Sequence, residues 1–221
     1  NYGWESVVRV QDYSSAYFEN NMFLNNAGGD WGIVDMHDNG NKVAFVNSTI
    51  VNNVSSNQKN LIGIAGSNNK VQLINSVLGK ALTGENQIRN NSSSTHTLYA
   101  RNSLLAYNTA TGALYASKLN WDVDSTVVFA DPQLNSDGTL KANSPAIGVG
   151  SNLPVTIGSI TYSMPLTDLA GVSRPNPVGS NTDAGAYESD KAQGDFDMVV
   201  SSCGYTIEVG VLNSTLYSIS I

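Results

Sequence analysis

Four segments of this 221-residue chain superimpose without gaps, and their spacing limits the folds that the chain can adopt. The fifth position of every segment is an asparagine, and these asparagines are separated by 27, 28 and 27 residues: Asn20, Asn47, Asn75 and Asn102. Apolar residues recur at the first, third and eighth positions. Before the asparagine, apolar and other residues therefore alternate, which is typical of a β-strand with one buried face. The four segments are AYFENNMFLNN (16–26), VAFVNSTIVNN (43–53), VQLINSVLGKA (71–81) and LYARNSLLAYN (98–108).

Helices are not expected in this part of the chain. Of the 27 asparagines, 21 lie within the first 120 residues, and asparagine side chains compete with the hydrogen bonds of a helix interior. Between the repeats lie further candidate strands, each ended by turn-forming residues. These strands are Ser6–Gln11, Gly32–His37, Leu61–Gly66, Gln87–Asn90 and Gly112–Ser117. Each period therefore contains two or three short strands joined by bends.

A helix-free period of this length predicts a parallel β-solenoid. Leucine-rich repeats would place L-x-x-L-x-L before the asparagine, and a propeller blade needs roughly 40 to 50 residues. In a solenoid each period makes one turn that stacks on the last at about 4.8 Å. The four asparagines then form a column at one bend, and we expect their amides to bond along the stack.

The chain resembles the right-handed parallel β-helix repeat proteins, a superfamily that includes pectate-lyase-like enzymes. Residues 131–188 resemble the C-terminal segment of the bacterial secreted choice-of-anchor proteins, with motifs D-P-x-F, S-P-A-I-D-x-G, D-x-x-G-x-x-R-P and D-x-G-A-Y-E. Here these motifs are DPQL (131–134), SPAIGVG (144–150), DLAGVSRP (168–175) and DAGAYE (183–188). Gly148 replaces the usual aspartate of the second motif, and Leu134 replaces the usual aromatic residue of the first.

The predicted architecture is all-β and has three parts. Residues 1–130 form about five coils of a right-handed parallel β-helix, and residues 131–188 form a closing segment. Residues 189–221 form a linker and a short β tail, which resembles the start of a type 9 secretion sorting domain. The first coil and the last strand leave open edges, which predicts either a larger parent chain or self-association through strand pairing.

The composition excludes several functional classes. Eleven Lys and Arg residues, scattered along a chain of net charge −7, do not make a nucleic-acid site. No apolar run approaches the roughly 20 residues that span a bilayer. One cysteine cannot form a disulfide within the chain, and no metal site or nucleotide motif is expected.

The family resemblance raises the hypothesis of a polysaccharide lyase. Such enzymes abstract a proton α to a uronate carboxylate, which requires a base and a positive group or Ca²⁺. Lys42 and Lys70 precede equivalent valines, so they stack one coil apart, where repulsion can lower a pKa. The other candidates are Arg89, Arg101 and His37. The simpler interpretation is that the lysines are solvated residues protecting strand edges.

The second repeat position should point outward, and it carries residues that could contact a glycan. Tyrosines can stack on sugar rings, and Tyr17, Gln72 and Tyr99 occupy this position. The sequence therefore predicts an extracellular or bacterial cell-surface protein that is a rigid structural or adhesive element and binds glycans. The alternatives are a polysaccharide lyase, for which alone Ca²⁺ would be a cofactor, and a subunit of an extracellular assembly.

Overall fold

The computed structural model describes residues 6–29, 31–55, 60–81, 86–107 and 116–194. The chain passes repeatedly through three parallel sheets, which we name sheet A, sheet B and sheet C in the order of the chain. Together they form an all-β parallel solenoid of about four turns, which confirms the fold class predicted from the repeat.

The strands of the three sheets recur in the same order in each turn. Sheet A consists of Val8–Gln11, Val34–His37, Asn60–Ile64 and Asn86–Asn90. Sheet B consists of Ser15–Glu19, Lys42–Val46, Lys70–Ile74, His96–Arg101 and Leu119–Val123. Sheet C consists of Met22–Leu24, Thr49–Val51, Val77–Leu78, Leu104–Leu105 and Val128–Phe129.

Three smaller elements complete the secondary structure of the described residues. A short parallel pair follows sheet C in the first two turns and joins Ala27–Gly28 to Val54–Ser55. A 3₁₀-helix covers Ala116–Lys118. In the closing segment, an antiparallel hairpin pairs Val155–Ile157 with Ile160–Tyr162.

The register of sheet B stacks the repeat as the sequence predicts. Each first-position residue pairs with the next in the series Ala16, Val43, Val71 and Leu98. These side chains point into the solenoid, where the apolar residues of all three sheets form one continuous core. Phe18, Phe23 and Phe45 pack ring against ring within it, with centroids 5.1–6.1 Å apart. Burying each such side chain contributes about 1.5–3 kcal/mol, so the stacked turns supply most of the stability.

The expectation of about five coils is slightly too high, because the last turn is incomplete within the described residues. Its sheet B and sheet C strands are present, but among the described residues no sheet A strand precedes them. Residues 112–115 of the expected strand Gly112–Ser117 lie outside the described residues, and Ala116–Lys118 is a 3₁₀-helix. Trp121 pairs with Leu98, which shortens the period to 23 residues and hides this turn from the repeat.

The asparagine column is confirmed as a stack, but its amides bond differently from the prediction. All four residues adopt left-handed backbone conformations, with φ between 45° and 50°, which asparagine tolerates. The backbone N–H groups of the first three bond along the stack, to Val46, Ile74 and Arg101. The amide groups of Asn20 and Asn75 instead bond to Thr167 and Ser151 of the closing segment. The column is therefore a bend at which the closing segment attaches.

Side chains next to this column do bond from turn to turn. Each serine oxygen accepts a hydrogen bond from the backbone N–H of the turn before it, at 3.0–3.1 Å, in the series Ser48, Ser76 and Ser103. A second series precedes sheet B: Asn41, Asn69 and His96 accept from the backbone N–H of the previous turn at 2.7–3.2 Å. These bonds satisfy buried N–H groups at the corners, where the sheet pairing is interrupted.

The closing segment lies along the side of the solenoid, against the outer faces of sheets B and C. Its hairpin buries Ala44, Val46 and Ile74 under Ile157 and Tyr162. Elsewhere in the closing segment, a second apolar group covers Val77 and Leu104 of sheet C. It consists of Ala146, Val149 and Ala184. The segment thus joins turns that are far apart in sequence. The choice of 131 and 188 as its boundaries stays a prediction.

The residues of the closing motifs hold the segment together. Arg174 and Glu188 form a buried ion pair with an Nη1–Oε2 distance of 2.5 Å, and Arg174 also donates to the Gly185 carbonyl. Asp183 accepts from the N–H groups of Gly148 and Ser189. A side chain at Gly148 would meet Gln193, since an added Cβ would lie 2.4 Å from the Gln193 Cβ. In this fold a glycine is therefore required at that position.

Two further predictions concern the C-terminal tail and membrane-spanning helices. The tail from residue 195 onward, including its resemblance to a sorting domain, lies outside the described residues. Among the residues that are described, no helix is long and apolar enough to cross a membrane.

Candidate functional site

The residues predicted to contact glycans lie on the outer face of sheet B, which the closing segment covers. Gln72 is buried there and accepts a hydrogen bond from the Tyr162 hydroxyl. Tyr99 packs partly buried against the same hairpin. Tyr17 is 51% exposed and stacks parallel to Tyr162, with ring centroids 6.1 Å apart. Gln72 is therefore not accessible to a ligand, and the two tyrosines do not share an open surface.

The candidate catalytic residues are divided among three places. Lys42 and Lys70 pair across neighbouring turns at the start of sheet B, as expected. Arg101 lies at the other end of sheet B, with its guanidinium 2.6 Å from Asp122 and 3.2 Å from Asp124. His37 and Arg89 lie on a different sheet, sheet A.

Sheet A presents two columns of outward-facing residues. The first column contains Arg9, Asp35, Gly63 and Arg89, which are successive partners in the parallel register. Two residues further along each strand, Gln11 and His37 begin a second column. It continues to Ala65 and Asn91, as the backbone bonds Ala65 N to Met36 O and Asn91 N to Ile64 O show. Because the third turn carries only Gly63 and Ala65, the polar side chains flank a strip of small residues.

The segment around Trp31 crosses this face and fixes its shape. A Cβ on Gly63 would lie 1.7 Å from the Trp31 carbonyl oxygen, so the backbone of Trp31 rests directly on the glycine. The Asn60 amide donates to the same carbonyl at 3.2 Å. The Trp31 ring contacts His37 edge to face, with centroids 5.8 Å apart. Gly63 is thus required for an aromatic ring to lie on sheet A.

Asp35 is the central charged group of this face. It is only 1% exposed, and its Oδ2 atom lies 3.6 Å from Arg9 Nε and 3.9 Å from His37 Nδ1. Burial raises the pKa of the Asp35 carboxyl above its ordinary value, although His37 and Arg9 act in the opposite direction. The carboxyl therefore holds a proton to higher pH than an exposed aspartate does.

Several polar atoms on this face are buried without a hydrogen-bond partner among the described residues. They include one carboxylate oxygen, one imidazole nitrogen, one guanidinium nitrogen and one amide nitrogen: Asp35 Oδ1, His37 Nδ1, Arg89 Nε and Asn91 Nδ2. Buried polar groups are normally paired, so four unpaired atoms on one sheet face are unusual. Two of them lie in the second turn, on Asp35 and His37, and two lie in the fourth turn, on Arg89 and Asn91. The side chains of Arg9 and His37 are 37% and 31% exposed beside Asp35, and His37 contacts the Trp31 ring. Exposed donors next to an aromatic ring can bind a polar ligand that has hydroxyl groups and an apolar face.

Within the part of the chain that the structure describes, no three His, Cys, Asp or Glu residues are placed to hold a metal ion. His37 instead lies 31% exposed between two aspartates, with its Nε2 atom 3.9 Å from Asp38.

Sequence reasoning identified part of this face. The sequence predicts His37 and Arg89 as candidates but not Arg9, Trp31 and Asn91, because the sheet A strands lack the recurring asparagine that aligns the strands of sheet B. The signal that could have found them is the position of Gly63 and Ala65, small residues between polar neighbours at the same place in adjacent periods.

Comparison with known proteins adds no further constraint on this face. No protein-family model, curated protein or solved structure matches the chain. The resemblance of residues 131–188 to choice-of-anchor proteins therefore stays a prediction, and the chemistry of the site is argued from its residues.

Proposed function

We propose that this chain is a secreted or cell-surface structural protein that binds a glycan through the outer face of sheet A. The observation that carries the proposal is the group of partly exposed Arg9 and His37 around Asp35, beside the Trp31 ring on that face. An aromatic ring flanked by donors and acceptors suits the alternating apolar and hydroxyl surfaces of a sugar ring.

The distribution of the closing segment supports the choice of face. Hydrogen bonds and apolar contacts of residues 131–194 reach sheets B and C and the bends beside them. A solenoid whose closing segment packs on sheets B and C can present a ligand site on sheet A while its continuous core keeps it rigid. The resemblance to choice-of-anchor proteins is consistent with an extracellular or bacterial cell-surface location.

Affinity electrophoresis tests this proposal. Native gels that contain neutral or acidic polysaccharides should retard the wild-type chain with at least one of them. Trp31→Ala should weaken that retardation by about tenfold in apparent affinity, since an aromatic contact contributes on the order of 1 kcal/mol. Tyr17→Ala is the matched control, because Tyr17 lies on sheet B, and it should bind like the wild type. No retardation by any polysaccharide, or equal retardation of Trp31→Ala, would contradict the proposal.

A polysaccharide lyase is the second candidate function, supported by the histidine, the aspartate and the two arginines on sheet A. In this scheme His37 or a neighbouring group would remove the proton, and Arg89 would stabilise the resulting charge. Incubation with polyuronates and Ca²⁺ should then generate unsaturated products that absorb in the ultraviolet. Activity that persists in a His37→Ala, Arg89→Gln double variant would exclude this site as its source.

A further inference from the structure

Both ends of the solenoid leave core columns partly uncovered. In the first turn Val8, Ala16 and Phe18 are only partly buried, although the residues stacked on them in the second turn are fully buried. In the last turn Trp121 and Val123 are also partly buried, and Phe129 is 43% exposed. Phe129 continues an inward column whose earlier members are buried: Phe23, Ile50, Leu78 and Leu105.

The outermost strands have one free edge among the described residues. Ser15–Glu19 pairs only with Lys42–Val46, and Leu119–Val123 pairs only with His96–Arg101. The same holds in sheet C for Met22–Leu24 and Val128–Phe129. Each free edge presents backbone N–H and C=O groups that can accept another parallel strand.

The side chains of the two ends complement one another in the register of the solenoid. If the sheet B register continued by one more turn, Trp121 would lie over Ala16 and Val123 over Phe18. A large residue thus meets a smaller one in both of these sheet B columns, as in a well-packed interior. In sheet C, Phe129 would lie over Phe23, in the column that already stacks apolar residues.

We propose that the last turn of one molecule stacks on the first turn of a second copy, extending sheets B and C across the junction. This contact is head to tail, because it joins two different surfaces. Each molecule then keeps one free end of each kind, so the assembly grows beyond a dimer. The proposal is independent of glycan binding, since the sheet A face lies on the side of the solenoid.

One contact at this junction is unfavourable, and it supplies a test. In the continued register Asp124 would lie over Glu19, so two carboxylates would approach each other. The charge of Asp124 is partly offset by Arg101, whose Nε atom is 3.2 Å away. Removing the Glu19 charge should therefore strengthen the association, and added salt should do the same by screening.

Sedimentation velocity of the purified chain over about a hundredfold range of concentration tests the proposal. The weight-average mass should rise past that of a dimer, and Glu19→Gln should shift the rise to lower concentration by severalfold. Phe129→Asp should abolish it, whereas Leu166→Asp, at a site 82% exposed on the closing segment, should not. Circular dichroism checks that each variant is folded. A monomer at every concentration, a dimer that does not grow, or weaker association of Glu19→Gln would overturn the proposal.

Discussion

At the scale of single residues, the asparagines of the column share one backbone conformation but differ in their side-chain hydrogen bonds. Asn47 and Asn75 have nearly equal φ values, 45° and 48°, and both are fully buried. The Asn75 amide accepts from the Ser151 N–H and donates to the Ser151 carbonyl, each at 2.8 Å. Neither polar atom of the Asn47 amide has a partner among the described residues.

We therefore expect Asn75→Ala to destabilise the protein more than Asn47→Ala. Both variants lose the tolerance of asparagine for a left-handed backbone, which costs about 1 kcal/mol. Only Asn75→Ala also leaves the Ser151 N–H unpaired, which costs about 1–3 kcal/mol more. Equilibrium unfolding in urea measures both changes in the free energy of unfolding. Equal losses would show that the bonds to Ser151 contribute nothing.

His96 makes one of the hydrogen bonds between neighbouring turns sensitive to acid. Its Nδ1 atom accepts from the Asn69 N–H at 3.2 Å, and its Nε2 atom is 2.9 Å from Ser92 Oγ, which donates to the Gly66 carbonyl. The imidazole is therefore neutral, with its proton on Nε2. Burial lowers the pKa of His96 from 6.5 to about 4. Protonation of Nδ1 would place its N–H opposite the Asn69 N–H, so that two donors would face each other without an acceptor.

Because the pKa is lower in the folded state, the contribution of His96 is fully present above pH 6.5. It is lost as the pH falls from 6.5 through about 4, and the loss amounts to about 3 kcal/mol. His96→Asn restores the residue type of Asn41 and Asn69, whose acceptor does not titrate. The difference in unfolding free energy between wild type and variant, measured from pH 7.5 to 4, should shrink or change sign on acidification. A constant difference would contradict the assignment.

At the scale of elements, the closing segment packs tightly against the solenoid at Gly185. Its N–H donates to the Asn75 carbonyl at 2.8 Å, and the neighbouring Ala186 N–H donates to Thr49 Oγ1. Gly185 has φ +110°, and an added Cβ would lie 2.7 Å from Thr49 Oγ1. A side chain here would separate the two layers.

Gly185→Ala should lower the thermal unfolding midpoint and expose the closing segment to protease. Gly171→Ala is the control, because Gly171 also has a positive φ, +86°, but no atom lies within 4 Å of its added Cβ. Both variants bear the backbone strain, and only Gly185→Ala bears the clash, so its unfolding free energy should be about 1–3 kcal/mol lower than that of the control. Indistinguishable variants would mean that the two layers do not pack here.

At the scale of the whole molecule, the periodicity of the sequence predicts the features of the fold that come from stacking each turn on the next. The columns of sheets B and C follow from the period and from alternation, because each turn contacts the turn one period away. The path of the closing segment could not be predicted in this way, since its contacts join residues such as Gln72 and Tyr162, 90 positions apart. The acid-sensitive hydrogen bond of His96 is not evident from the sequence, because a histidine takes the position that Asn41 and Asn69 have in the earlier turns. The outer face of sheet A is distinguished from the others only once the contacts of the closing segment with sheets B and C are known.

Hydroxyl-radical footprinting most directly tests the claim that sheet A carries the binding face. The chain is oxidised with and without a polysaccharide that retards it, and modified side chains are measured by mass spectrometry. Our account predicts that the ligand protects Trp31 and His37 and leaves Tyr17 and Leu166 as reactive as before. Protection of Tyr17 or Leu166 with Trp31 and His37 unchanged would place the ligand elsewhere and contradict the account.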